Sequence, residues 1–358
     1  MKTIRSISHK QYVAIHKDPK KSADLADLKY VTEGEKGISR IKKANGFQYY
    51  YKGKTVKDEN TLMRIKKLAI PPSWTDVWIC NSAGGHIQAT GKDLNGRKQY
   101  RYHANWNSLR NDTKFHKLIE FGKALPLLRR RIRRDLRNKD LNAEKVIAAA
   151  ISTMEETSIR IGNAGYEKLY GSYGLTTLKD QHVDIKSESA DFVFKGKKGI
   201  SHRLKLKNRQ LVKIIRQCRD IPGKNLFQYF GEDGSRRTID SGMVNNYIKE
   251  AGQGDFSAKD FRTWTGTVKA LESFCCMDEA HTESTVKKNV LSVLDDVSKK
   301  LGNSRSVCRK YYVHPKLIQL YEEGKLMSYV QKLSCKEAGT LAGLQKNEKV
   351  LMKILSKM

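Results

Sequence analysis

"WTDVWICNSAGGHIQATGKDLNGRKQYRYH", residues 74–103, holds strand-like runs around two turn signals, Gly84-Gly85 and Asn95-Gly96. Short apolar runs bounded by such turns mark strands, and Asn-Gly is a strong short-range hairpin signal. The stretch reads as strands joined by tight turns. Upstream, "FQYYYKGKTV", residues 47–56, is aromatic and β-branched around Lys52-Gly53, so β character runs from residue 38 to 104.

Past Trp106 the character changes. Residues 106–138 carry Leu, Ile and Phe at helical spacing and include the run "RRRIRRDLR", residues 129–137. Residues 143–160, "AEKVIAAAISTMEETSIR", place apolar side chains at 146, 147, 150, 151 and 154, a helix pattern. Residues 180–206 alternate, predicting strands about a Gly196–Gly199 turn, and helices are expected over 206–219, 238–252, 257–276, 281–301 and 304–312. The remaining C-terminal residues look helical and basic. The expected fold class is α+β, in three parts. Residues 1–29, polar and without clear period, read as an arm; 30–105 form a small β-rich domain. Residues 106–358 form a larger, mainly helical domain with a β-hairpin or three-stranded sheet and a basic helical C-terminal extension.

Charge narrows the partner. Against 69 Lys+Arg stand 38 Asp+Glu, a formal net charge of +31. Such an excess opposes compaction by self-repulsion unless a polyanion shares the surface. Solubility alone is met by a net charge of about 2–8. A nucleic acid is therefore the leading expected partner, and an anionic membrane surface the second. No apolar run is long enough to span a bilayer, and residues 1–30 lack a signal-peptide pattern, so an intracellular, DNA-associated protein is expected. The six cysteines form no C-x-x-C pair, and His9, His16 and His116 have no ligand-like partners. Neither a metal nor a small-molecule cofactor is expected, and a reducing compartment fits.

Four segments carry candidate chemistry. "EETSIRIGNAGY" holds Arg160 and Tyr166; "FKGKKGISH" holds Lys197 on a hairpin; "SAKDFRTWTGT" holds Lys259 and Arg262; "LGNSRSVCRKYY" holds Asn303 and the pair Tyr311 and Tyr312. Taken singly, each has a bland reading: a capping arginine, an exposed turn lysine, an ordinary helix start, a packed tyrosine pair. Taken together and in this order, they resemble the catalytic signature of the type IB DNA topoisomerases. The segment from Ile70 to His103 is similar to the N-terminal domain of that family's small bacterial and viral members. The resemblance covers roughly residues 30–320.

That resemblance implies a monomer closing as a clamp around duplex DNA, nicking one strand through a 3′-phosphotyrosyl link and resealing it without ATP. It also chooses between the tyrosines. Viral members carry a histidine nine positions before the nucleophile; here that spacing joins Asn303 to Tyr312, so Tyr312 is the implied nucleophile. Asparagine can donate a hydrogen bond but does not titrate, a departure from the viral pattern that resembles the bacterial branch. Arg160 and Arg262 are implied to clamp the phosphate oxygens, and Lys197 to protonate the departing 5′-oxygen. Gln99, Tyr100, Tyr102, Tyr166 and Lys259 match DNA contacts. Two other readings stay open: a tyrosine recombinase, and a DNA-binding protein whose tyrosine only packs. Recombinases typically have histidine three residues before the second arginine, where this chain has Lys259.

Overall fold

The computed structural model describes residues 9–15, 18–44, 46–94, 96–277, 282–330 and 344–357. The chain divides into two compact units, residues 1–116 and 117–358, with the division inside one long helix.

The first unit contains, in chain order, α1 (His9–Ile15), α2 (Pro19–Leu25), β1 (Ile38–Lys43), β2 (Gly46–Tyr51), β3 (Lys54–Thr55), α3 (Glu59–Lys67), β4 (Thr75–Ile79), β5 (Ile87–Lys92), β6 (Lys98–Tyr102) and the start of α4 (Ala104–Asp135). Its six strands make one antiparallel sheet in the order β3-β2-β1-β4-β5-β6. Ile38, Val77, Ile79 and Ala89 from the sheet and Ile65 from α3 form its core. Helix α3 starts at Asp58, whose carboxylate accepts from Thr61 N–H at 2.8 Å and so satisfies an orphan helix-start donor. The expected hairpin is formed by β5 and β6, with Lys92 opposite Lys98. Asn95 of its turn lies outside the described residues, while Gly96 adopts φ +71°, a left-handed value that favours glycine.

The expected arm differs from what folds. Residues 9–15 and 19–25 are helices, and Tyr12, Ile15, Ala23, Ala26 and Leu28 pack with Trp106 and Leu109 of α4. His116 stacks on Tyr12, centroids 5.6 Å apart; His16 and the side chain of His9 lie outside the described residues. Lys29 bridges to Gly85, and His86 accepts from Val31 N–H at 3.1 Å. These two short helices are held by tertiary contacts from α4, which is also why the division falls within α4 rather than before Trp106.

The second unit continues with α5 (Ala143–Thr157), α6 (Ala164–Tyr170), β7 (Val183–Ile185), β8 (Ala190–Lys195), β9 (Ser201–Leu206), α7 (Arg209–Asp220), β10 (Gln228–Phe230), β11 (Arg236–Thr238), α8 (Ser241–Gly252) and α9 (Ala258–Cys275). Then follow α10 (Glu283–Leu301), α11 (Arg305–Tyr311), α12 (Pro315–Glu322), α13 (Met327–Val330) and α14 (Lys346–Leu355). Strands β7-β8-β9 form a three-stranded antiparallel sheet and β10-β11 a ribbon. Every residue of α5 from Lys145 to Met154 is buried, so this helix is enclosed on all sides and forms the centre of the core.

In the run "RRRIRRDLR", Arg130, Arg134 and Arg137 are exposed to solvent, whereas Arg129 and Asp135 turn inward. Arg129 is buried and donates to Glu155 at 2.8 Å and to both oxygens of Glu348 at 2.8 and 2.9 Å. Asp135, also buried, accepts from Arg131, Arg134 and the Tyr247 hydroxyl. Glu348 accepts as well from Trp264 Nε1 at 2.8 Å, so α14 is locked to α4 and α9. Glu348→Ala should orphan the buried Trp264 donor and strip two hydrogen bonds from Arg129, costing about 3 kcal/mol or more. Urea unfolding measures this; a loss below about 1 kcal/mol, no more than one ordinary hydrogen bond, would refute the bracing role.

Candidate active site

Helix α5 ends at Ser158, which caps it in the left-handed conformation at φ +60°, its N–H donating to Met154 C=O at 2.8 Å. A non-glycine residue there stores strain of about 1–3 kcal/mol, of a kind that clusters at functional sites. The turn sends Arg160 inward two residues later. Helix α10 ends in the same way at Gly302, φ +57°, and presents Asn303. Helix α9 brings Arg262 from its first turns, deep in the core at 5% exposure.

These three side chains meet. Arg160 Nη2 donates to Gly302 C=O at 3.0 Å and to Asn303 Oδ1. Arg262 Nη2 donates to Asn303 Oδ1 at 3.0 Å and to Leu301 C=O at 2.7 Å, while Nη1 donates to Ser158 C=O. The backbone acceptors lie at the C-terminal ends of α5 and α10, where the helix dipole carries about half a negative charge and favours a cation. Among the described residues, none of the hydrogen-bonding partners of either arginine is a carboxylate. Arg262 Nε is buried without a hydrogen-bond partner among the described residues. Because Oδ1 of Asn303 takes both guanidinium donors, its NH₂ group is turned the other way and keeps two donors for something else.

Burial, and then the neighbouring Arg262 charge, pull Arg160 down to about 10, still cationic at neutral pH. Arg262 is lowered by burial and partly restored by the nearby Tyr312 phenol. Burial also raises the Cys308 thiol, to about 11, so it stays protonated beside the arginines.

Tyr312 caps α11, and its ring centroid lies 5.4 Å from the Arg262 guanidinium carbon. Its carbonyl accepts from Thr267 Oγ1 at 3.0 Å. A Cβ on Gly266 would stand 2.8 Å from that carbonyl, so glycine one turn beyond Arg262 lets the tyrosine backbone approach α9. Tyr311 differs: it is exposed and lies beside Lys310, whose Nζ is 5.4 Å from its ring centroid.

Lys197 sits at the tip of the β8–β9 hairpin, where Lys195 pairs with Ser201 and Gly196 N–H donates to Ile200 C=O at 2.8 Å. It is exposed, with Nζ 5.9 Å from the Tyr166 ring centroid. Lys259 is exposed in the first turn of α9, one turn before Arg262. In the first unit, Tyr100 and Tyr102 stack at 5.7 Å on one face of β6, but strand alternation puts Gln99 on the other face, where it donates to Asp93 at 2.8 Å. The structure thus groups Arg160, Arg262, Asn303 and Tyr312, and separately Tyr166 with Lys197. It does not put Gln99 with the two tyrosines. Sequence reasoning missed Ser158 and His202, whose ring lies between the Lys197 hairpin and Gly302; the "G…G…H" spacing in 196–202 was the only available signal. Among the described residues, no cluster of three or more His, Cys, Asp or Glu could hold a metal ion, and no helix is long and apolar enough to cross a membrane.

The family profile "Eukaryotic DNA topoisomerase I, catalytic core" matches residues 103–338, and "Bacterial DNA topoisomerase IB, N-terminal domain" matches 46–93. DNA topoisomerase 1B of Acanthamoeba polyphaga mimivirus is 31% identical over 307 residues, covering 83% of this chain and 90% of that protein. DNA topoisomerase 1B of vaccinia virus is 23% identical over 295 residues, covering 79% and 89%. Among solved structures, XerH site-specific recombinase bound to difH superposes with a TM-score of 0.33 at 17% identity, over 56% of this chain and 52% of that one; so slight a likeness carries no argument. The chain belongs to the type IB DNA topoisomerases: it is an isomerase that acts on DNA.

Arg262 satisfies three acceptors on two sides of its planar fork, which a lysine ammonium cannot reproduce. Arg262→Lys should therefore lower plasmid relaxation about 10²–10³-fold despite unchanged charge. Relaxation within tenfold of the parent would mean that charge alone, not the fork, is what the site uses.

Proposed function

We propose that this protein relaxes supercoiled duplex DNA by cutting one strand with Tyr312, letting it rotate, and resealing it, as a monomer and without ATP or an obligatory metal. One observation carries the reading. Two guanidiniums, one of them buried, share an asparagine oxygen, have no carboxylate partner among the described residues and stand beside a tyrosine ring. Buried charge without a counter-ion is costly, so the site favours an anion entering from outside. A backbone phosphate supplies it.

In the step proposed, the Tyr312 oxygen forms a bond to phosphorus as the bond to the 5′-oxygen breaks, and the phenolic proton leaves to solvent. Arg160, Arg262 and the free NH₂ of Asn303 stabilise the charge that develops on the non-bridging oxygens. The 5′-oxygen leaves as a hydroxyl with a proton from Lys197. The new 3′-phosphotyrosyl bond conserves the energy of the broken phosphodiester, so the reverse attack reseals the strand without nucleotide. Tyr166, Lys259 and the β6 residues Tyr100 and Tyr102 supply DNA contacts in this reading. Gln99 does so only on exchanging its bond to Asp93 for one to DNA.

Incubation with supercoiled plasmid in excess EDTA and no nucleotide should give stepwise relaxation. Strict dependence on a divalent metal would exclude arginines and lysine as the only cations at the phosphate. Site-dependent joining of two DNAs would indicate a recombinase, and a gel shift alone a binding protein.

A further inference from the structure

The proposed proton donor is exposed at a hairpin tip, yet leaving-group protonation demands placement within hydrogen-bond reach of one oxygen. Something must hold the hairpin in register with the arginine cluster. We propose that His202 is a positioning residue that seats the Lys197 hairpin against the Gly302–Asn303 turn. The inference rests on the general-acid reading of Lys197 above.

The His202 ring is held on three sides. Phe194 stacks on it, centroids 5.1 Å apart and planes 19° apart. A Cβ on Gly196 would lie 2.6 Å from the ring atoms Cδ2 and Nε2, and a Cβ on Gly302 would lie 2.4 Å from Cε1. Both distances are below what real contacts allow, so each glycine forms a socket for one edge of the ring. Gly302 has a second reason to be glycine, its φ of +57°. Gly196 does not: its φ of −91° suits any residue, and the ring accounts for the glycine. The contacts therefore run from the Lys197 hairpin through Gly196 to His202, then to Gly302, whose carbonyl accepts from Arg160. Burial and the two arginines keep the His202 pKa below its usual value, so the ring is neutral at pH 7. It packs there without adding a third charge beside the guanidiniums.

A residue acting through the proton donor leaves a particular signature. Single-turnover cleavage is measured on ordinary DNA and on DNA with sulfur in place of the bridging 5′-oxygen. The sulfur leaves as a thiolate, which needs no proton because thiol pKa values are about 8.5. Lys197→Ala serves as reference and should be slow on oxygen and largely restored on sulfur. His202→Ala should be slowed roughly 10–100-fold on oxygen, as for small misplacements of a reacting group, and should recover on sulfur in the same way. Gly196→Ala, which removes no side chain, should show the same sulfur-sensitive defect; adding His202→Ala to it should cost nothing further. Should His202→Ala fail to fold, Gly196→Ala decides alone. If Lys197→Ala recovers on sulfur but neither His202→Ala nor Gly196→Ala does, or if neither is slowed, the proposal is overturned and the general-acid reading stands. If Lys197→Ala itself fails to recover, the general-acid reading falls, and the role of His202 with it.

Discussion

Arg160 and Arg262 both donate to Oδ1 of Asn303, and much of the second unit is arranged to make that possible. Two like charges are held together, Arg262 buried and Arg160 half-buried, which opposes folding on both counts. Among the described residues, no acid side chain is paired with them. The protein uses the carbonyl ends of two helices, α5 through Ser158 and α10 through Leu301 and Gly302, each contributing partial negative charge worth about 0.3–1 kcal/mol, more when buried. A carboxylate would neutralise the site permanently and compete with a phosphate for the same donors. Partial charges at helix ends stabilise the arginines while leaving the site net positive.

This constraint explains several local choices. Ser158 accepts a strained left-handed turn because its carbonyl must point at Arg262. Helix α5 is wrapped in apolar neighbours so that its C-terminus is fixed in place. Helix α9 is braced on its far side by the Arg129–Glu348–Trp264 network, which keeps the helix bearing Arg262 from shifting. Gly266 lets Tyr312 come within reach of the same guanidinium. Asn303 accepts from both arginines without adding a charge of its own beside them.

What was legible in the sequence follows the range of the interactions concerned. The strands of 74–103 and the helix at 143–157 are fixed locally, and both formed where turn signals and helical spacing put them. That Arg160, Arg262, Asn303 and Tyr312 would lie together could be expected only from the order and spacing of their segments, since they are far apart in the chain. Residues 9–29 were misread as an arm because their order comes from Trp106 and Leu109, far along the chain. The inward turn of Arg129 was not legible because it finds its acids at Glu155 and Glu348, which no local pattern links to it. His202 was passed over for the same reason: its significance lies in Gly302, a hundred residues away in sequence.

The central claim is that the cationic cluster activates one tyrosine, Tyr312, and not its neighbour. Protein trapped on nicked DNA, digested with protease and nuclease, yields a peptide carrying the residual nucleotide. Fragmentation mass spectrometry then locates the phosphate within "KYYVHP", residues 310–315. The account predicts phosphate on Tyr312 alone, joined to a 3′ end. Phosphate on Tyr311, or a 5′ linkage, would contradict it.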